Sequence, residues 1–171
     1  QWYAIAKISG VKIIEALREQ YNRDYVSLMP TNLYGPGDNY DLKTSHVLPA
    51  MLRKFHEAKE NNHSDVLLWG TGTPKRDFLH VDDLANAVVY ALENKLDQSL
   101  YNIGSAEEVS IKELASLIKN IVGFKGEIIW DNSKPDGTPR KLLDSTRINK
   151  LGWNSRIILH TGVENVYKSQ F

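Results

Sequence analysis

Apolar positions recur at helical spacing over residues 3–19. Ala6, Gly10, Ile13 and Leu17 fall on one face, while Ala4, Ile8 and Val11 make a second stripe. A helix apolar on two sides is expected to be buried on two sides, one against a sheet, the other against a partner subunit or more of a larger monomer. Residues 24–29 predict a short buried strand, and Pro30 to Asp38 a loop leaving its carboxyl end. A polar, mobile stretch from Asp41 to Ser45 precedes a helix running from His46 or Val47 to Lys59, with Leu48, Met51, Leu52 and Phe55 inward. Strands follow at 66–69 and 76–81, then a helix opened by Asp82 and Asp83 and ending near Leu92. A strand at 99–104 leads to a helix capped by Ser110, with Glu113 completing a capping box. An edge strand at 125–130, a Pro- and Gly-bearing loop at 133–140 and a last helix from Thr161 complete the pattern. Strands alternating with helices predict an α/β fold.

Charge narrows the partners. The 171 residues carry 21 basic and 21 acidic groups, which leaves no electrostatic case for nucleic acid or an anionic membrane. There is no cysteine, hence no disulfide, thiolate nucleophile or Cys-based metal site. No apolar run approaches the roughly 20 residues that span a bilayer, and nothing resembles a signal peptide. The chain opens at Gln1 inside the predicted helix and has no methionine before Met29. It therefore reads as the C-terminal part of something longer.

The candidate chemistry starts in that helix. Tyr3 and Lys7 stand four apart, so both side chains leave one face about a turn from each other. An ammonium one turn along favours the phenolate and makes the hydroxyl a usable proton donor or acceptor. Alone, Tyr-x-x-x-Lys is a weak signal that an ordinary surface pair also satisfies.

Context changes that. YAIAK, MPTNLYGPGD, SHVLPA, WGTGTPKRDFLHVDD and YNIG occur in this order, and together they resemble the extended short-chain dehydrogenase/reductase family, whose members act on nucleotide sugars. PTNLYGP, SHVLPAMLRKFHEA and SKPDGTPRKLLD are similar to its GDP-sugar reductase-epimerases, which convert GDP-4-keto-6-deoxy-D-mannose to GDP-L-fucose with NADPH. The resemblance implies part of a doubly wound, Rossmann-like NADP-binding domain (1–35 and 76–98) and a smaller substrate domain (36–75 and 99–171). It also implies a cytoplasmic enzyme paired as a homodimer through the Tyr3 helix.

Carried over by resemblance, Tyr3 protonates the C4 oxygen as hydride arrives, and Lys7 holds the nicotinamide ribose. Pro30, Thr31, Asn32 and Leu33 wall the nicotinamide, with His46 beside the cofactor. His46 also matches the family's epimerisation histidine, whereas a lone His at a helix start is otherwise a capping or packing group. Arg76 is the candidate for the diphosphate, since a guanidinium fork grips phosphate oxygens in two places. Lys54, Trp69, Asp136 and, more weakly, Lys141 fall on the family's substrate contacts. Some members carry Arg at position 54, and Lys keeps the charge without the fork. Trp69 also reads as a strand-end core aromatic, and Asp136 as a turn residue of Pro-Asp-Gly. His56, His63, His80 and His160 are read as structural or solvated.

Three departures limit the reading. The Gly-rich pyrophosphate turn is absent, and so are the family's catalytic cysteine and the Ser or Thr that joins Tyr and Lys. All lie upstream of the Tyr in family members, so this chain alone is not expected to complete the reaction. The alternatives are another extended reductase, such as a nucleotide-sugar 4-epimerase or 4,6-dehydratase, and a non-catalytic nucleotide-binding fragment.

Overall fold

The computed structural model describes residues 2–171; Gln1 lies outside the described residues. Helix α1 (Trp2–Tyr21) carries both apolar stripes, yet none of its residues is buried. Trp2, Ile5, Ile8 and Ile13 are half or more exposed. Among the described residues no element buries either stripe, so of the covers expected a sheet of this chain is not one, and a stripe marks a face that needs a partner. Arg18 anchors the end of α1 by donating to the Tyr25 and Leu96 carbonyls at 2.7 and 3.1 Å.

Strand β1 (Ser27–Pro30) is followed, after Thr31 alone, by β2 (Asn32–Tyr34), where the pattern predicts only loop. Next come α2 (Val47–Glu60), β3 (Asp65–Trp69), β4 (Lys75–His80), α3 (Val81–Glu93) and β5 (Leu100–Ile103). The chain closes with β6 (Glu108–Ser110), α4 (Ile111–Val122), β7 (Glu127–Asp131), β8 (Arg140–Lys141), α5 (Thr146–Lys150) and α6 (Leu159–Gln170). The segment from Asp41 to Ser45 is a bonded turn rather than a loose stretch. The Asp41 carboxylate accepts from the Lys43 and Thr44 amides and from Thr44 Oγ1, each at 3.0 Å, and these bonds hold it below the usual carboxylate range.

The fold is α/β with mainly parallel pairing. Strand β1 pairs with β5, β2 with β4, β3 with β7 and β8 with β4, all parallel, while β6 meets β4 antiparallel. The polypeptide therefore changes sheet at Thr31, leaving β5 as neighbour and taking up β4.

Two cores result. Leu52, Phe55, Leu114, Ile118, Val163 and Val166 pack from α2, α4 and α6 with Leu68 and Phe78. Leu79, Ala87, Tyr101, Ile103, Ile148 and Trp153 form the other. Strand β4 feeds both, because successive side chains point to opposite faces. Full burial of a Leu or Phe stabilises by roughly 1.5–3 kcal/mol, so each inward position of α2 matters. The capping box at α4 forms as predicted, with Glu113 N donating to Ser110 Oγ at 3.1 Å and Ser110 N to the Glu113 carboxylate at 2.7 Å. Among the described residues no helix is long and apolar enough to cross a membrane.

Candidate functional site

A groove of about 1450 Å³ runs between α1 and the strand ends where the sheets meet. It is lined by Tyr3 and Lys7 from α1, by residues 30–38, by His46, by Arg76 and Phe78 of β4, and by Lys141 of β8. Residues scattered over more than 130 positions of sequence thus share one wall. Lys54, Trp69 and Asp136 do not line it.

Tyr3 is 76% exposed, and the Lys7 ammonium stands 5.5 Å from its ring centroid, as helical spacing dictates. Opposite them, Thr31 Oγ1 and Asn32 Nδ2 both donate to the Asp77 carbonyl, at 3.1 and 2.8 Å. Those side chains are committed to holding the wall in place. His46 is the residue before α2, in extended conformation, and its side chain makes no capping bond. It is exposed and lines the groove, so the capping reading fails.

Arg76 and Lys141 are register partners across β4 and β8, which places two cations side by side. One arm of the guanidinium, Nη1, donates to the Lys75 carbonyl at 2.7 Å. The other, Nη2, lies 3.1 Å from where a Cβ on Gly137 would stand, so the 133–139 loop passes directly over it.

The remaining candidates form a second cluster reached through that loop. Trp69 ends β3 and is 67% exposed, which removes the reading of a core aromatic. Lys54 and Lys134 bring their ammonium groups 6.0 and 5.8 Å from its ring. Lys54 donates to the Leu67 carbonyl at 3.0 Å, and partial burial lowers its pKa. Asp136 accepts from Thr71 N at 2.9 Å and Thr71 Oγ1 at 2.7 Å, bonds that hold it below the usual carboxylate range. It is a loop latch. The latch needs Gly70, whose φ is +78° and whose Cβ would stand 2.3 Å from the Asp136 oxygen.

Sequence reasoning passed over Lys134 and Asp77. Lys134 had a signal, being a cation two residues from Asp136 in a loop already singled out. Asp77 had only its place between Arg76 and Phe78. The histidines set aside are structural where the bonding is visible. His80 caps α3 by accepting from Asp82 N at 3.2 Å, and His56 Nδ1 meets the Tyr167 hydroxyl at 3.1 Å.

Residues 1–104 match the NAD dependent epimerase/dehydratase family, and the chain belongs to it. Within that family, the chain is 54% identical over 168 residues to a protein from Oryza sativa subsp. japonica named probable GDP-L-fucose synthase 1, covering 98% of this chain and 51% of that one. It is 50% identical to the GDP-L-fucose synthase of Escherichia coli K12, covering 97% and 54% respectively. A solved GDP-L-fucose synthetase from Naegleria fowleri, bound to NADP, superposes with a TM-score of 0.88 at 27% identity, over 97% of this chain and 52% of that one. The chain thus spans about half the length of the curated relatives it matches.

Proposed function

We propose that this chain is the C-terminal half of a GDP-L-fucose synthase, which converts GDP-4-keto-6-deoxy-D-mannose to GDP-L-fucose by epimerising C3 and C5 and reducing the C4 ketone with NADPH. The observation that carries the reading is the convergence of Tyr3, Lys7, residues 30–33, His46, Arg76 and Lys141 on one groove. The chain's half-identity to proteins of that name supports it further.

The groove suits the nicotinamide end of NADPH: a half-buried strand-end wall at Pro30–Leu33 faces an ammonium and a phenol. The pyrophosphate end has no Gly-rich turn here, so these residues hold only part of the cofactor. When bound, NADPH supplies the hydride that C4 receives. Tyr3 gives its proton to the C4 oxygen, and Lys7 grips the ribose and stabilises the phenolate left behind. His46 moves a proton at C3 and C5. Inversion needs a second acid–base group on the opposite face, a role the family gives to a cysteine, and this chain contains none. Arg76 and Lys141 take the diphosphate, charge against charge, while Lys54, Trp69 and Asp136 meet the nucleotide.

Core membership suggests where the parts divide. Tyr101, Ile103, Ile148 and Trp153 pack with Leu79 and Ala87, so we assign β5 and α5 to the cofactor side together with residues 1–35 and 76–98. The exposed apolar stripes of α1 are the surface through which the complete enzyme pairs as a homodimer, in the cytoplasm.

The test is turnover by the full-length polypeptide in D₂O. We expect NADPH oxidation in step with GDP-L-fucose formation and deuterium at C3 and C5, with the deuterium lost in His46→Gln. Turnover without net NADPH loss would point instead to a 4-epimerase or 4,6-dehydratase. Unchanged exchange in His46→Gln would remove His46 from the mechanism.

A further inference from the structure

Asp77 is fully buried, lies on β4 between the groove-lining Arg76 and Phe78, and faces the other way, as strand alternation requires. Two connections meet at this residue. Its main-chain carbonyl holds Thr31 Oγ1 and Asn32 Nδ2. Its Oδ1 accepts from Ser105 N at 3.2 Å and from Ser105 Oγ. Its Oδ2 has no partner among the described residues, and neither does the buried Ser145 Oγ. These two atoms converge on Gly104, where a Cβ would stand 2.4 Å from the first and 3.1 Å from the second.

The location gives the bonding its meaning. Thr31 is where the chain passes from the β1–β5 pair to the sheet around β4, and Gly104 and Ser105 begin the return from β5 toward β6, which also pairs with β4. Both crossings are tied to Asp77, one through its carbonyl and one through its carboxylate. The strand that presents Arg76 is thereby fixed against the wall formed by residues 30–33. Burial pushes the Asp77 carboxyl upward, while the Ser105 bonds pull the other way, so keeping an acid here is costly unless its geometry is needed.

We propose that Asp77 is a positioning residue for the reduction: its carbonyl holds the nicotinamide wall, its carboxylate holds the return from β5, and together they set the distance between that wall and the cationic strand that holds the diphosphate. The proposal rests on the functional reading above. It assigns Asp77 no contact with substrate or cofactor. Its contribution is alignment, and a displacement of about 1 Å can cost on the order of 100-fold in rate.

The test uses the full-length polypeptide with three variants. Asp77→Ala removes the carboxylate arm of the pin and keeps the main-chain carbonyl. Gly104→Ala leaves Asp77 in place but drives a methyl into Oδ2. Asp77→Asn keeps an Oδ1 acceptor and turns the unpartnered oxygen into a donor facing Ser145. Asp77→Ala and Gly104→Ala are expected to lower kcat by roughly 30- to 100-fold with KM for the GDP-sugar within about 3-fold of wild type. The isotope effect from NADPH deuterated at nicotinamide C4 should rise in both, because misalignment slows hydride transfer itself. Amide exchange should quicken in residues 31–33 and 104–106, and Asp77→Asn should stay near wild type.

A merely structural role would reduce the folded fraction and leave the isotope effect unmoved. That result in both Asp77→Ala and Gly104→Ala, with wild type active, overturns the proposal alone. Should Asp77→Ala fail to fold, Gly104→Ala decides. A wild-type polypeptide that does not oxidise NADPH with the 4-keto sugar removes the functional reading and this proposal with it.

Discussion

Asp82 and Asp83 are adjacent, and from the sequence both are first-turn acids of one helix, but the fold separates their roles sharply. Asp83 is buried, and its two carboxylate oxygens accept from Arg156 N at 3.0 Å and Ile157 N at 2.9 Å. It clamps the segment that leads into α6, and so ties the first core to α3, a helix of the second. Asp82 has a side chain that is 74% exposed and little to hold. Replacing Asp83 by Ala deletes two hydrogen bonds to a charged acceptor, each contributing about 1.5–3 kcal/mol. Some of that returns, because Arg156 is exposed and its amide can turn toward water. A net loss of about 2–4 kcal/mol is expected. With a urea m-value of about 2 kcal/mol/M, the midpoint falls by about 1–2 M. Asp83→Asn keeps one acceptor and should lose about half as much. Asp82→Asn should lose no more than about 0.5 kcal/mol, the scale of an exposed charge at a helix end. Equilibrium unfolding in urea, followed by the fluorescence of tryptophans that include the buried Trp153, measures all three. Equal losses at 82 and 83, or a loss below about 1 kcal/mol for Asp83→Ala, would refute the clamp.

Three further predictions concern the site. Tyr3→Phe should slow NADPH oxidation by roughly 10²- to 10⁴-fold while GDP titration by calorimetry stays unchanged; equal loss of both would make Tyr3 structural. Arg76→Lys keeps the charge and loses the fork, so GDP affinity should fall by about tenfold, and an unchanged isotherm would take Arg76 off the diphosphate. The Thr71 bonds lower the Asp136 pKa, so its latch stabilises fully above the ordinary carboxylate range and fails as pH drops through the lowered value. Exchange protection of the Thr71 amide should therefore decline only as pH falls from the ordinary carboxylate value of about 3.9 through the lowered one, and Asp136→Asn should abolish that dependence; a flat profile in the parent protein would show that the latch does not depend on the charge.

Long periodic segments were legible: α2, α4 and the capping box at Ser110 follow from spacing and end chemistry alone. Strands β6 and β8 were not, because two or three residues, with Val109 the single apolar one, hold no alternation and their conformation comes from pairing with β4. Helix α5, five residues around the single buried Ile148, is too short for a helical stripe. Thr31 and Asn32 were placed at a ligand-facing loop, but β2 was missed there, since a strand of three residues after a proline is visible only through its partner. With α1 the pattern was right, and of the expected covers the sheet of this chain is not one, since its stripes stay uncovered among the described residues. Hydrophobic spacing specifies which face seeks contact and is silent on whether that contact lies in the same stretch of chain.

The same limit explains why the groove residues were found and their support was not. Motifs collect side chains that meet ligands, so Tyr3, Lys7, His46 and Arg76 stand out by type and order. Asp77 and Asp83 belong to the same run of sequence and carry the same charge, but each is aimed inward, at Ser105 in one case and at the 156–157 backbone in the other. An acid beside a motif arginine reads as part of the motif. In a strand, however, adjacent residues face opposite ways, so when Arg76 and Phe78 point into the groove, Asp77 cannot. Applying that alternation to RDFLH before assigning roles would have placed the acid behind the wall and raised the question of what it holds there.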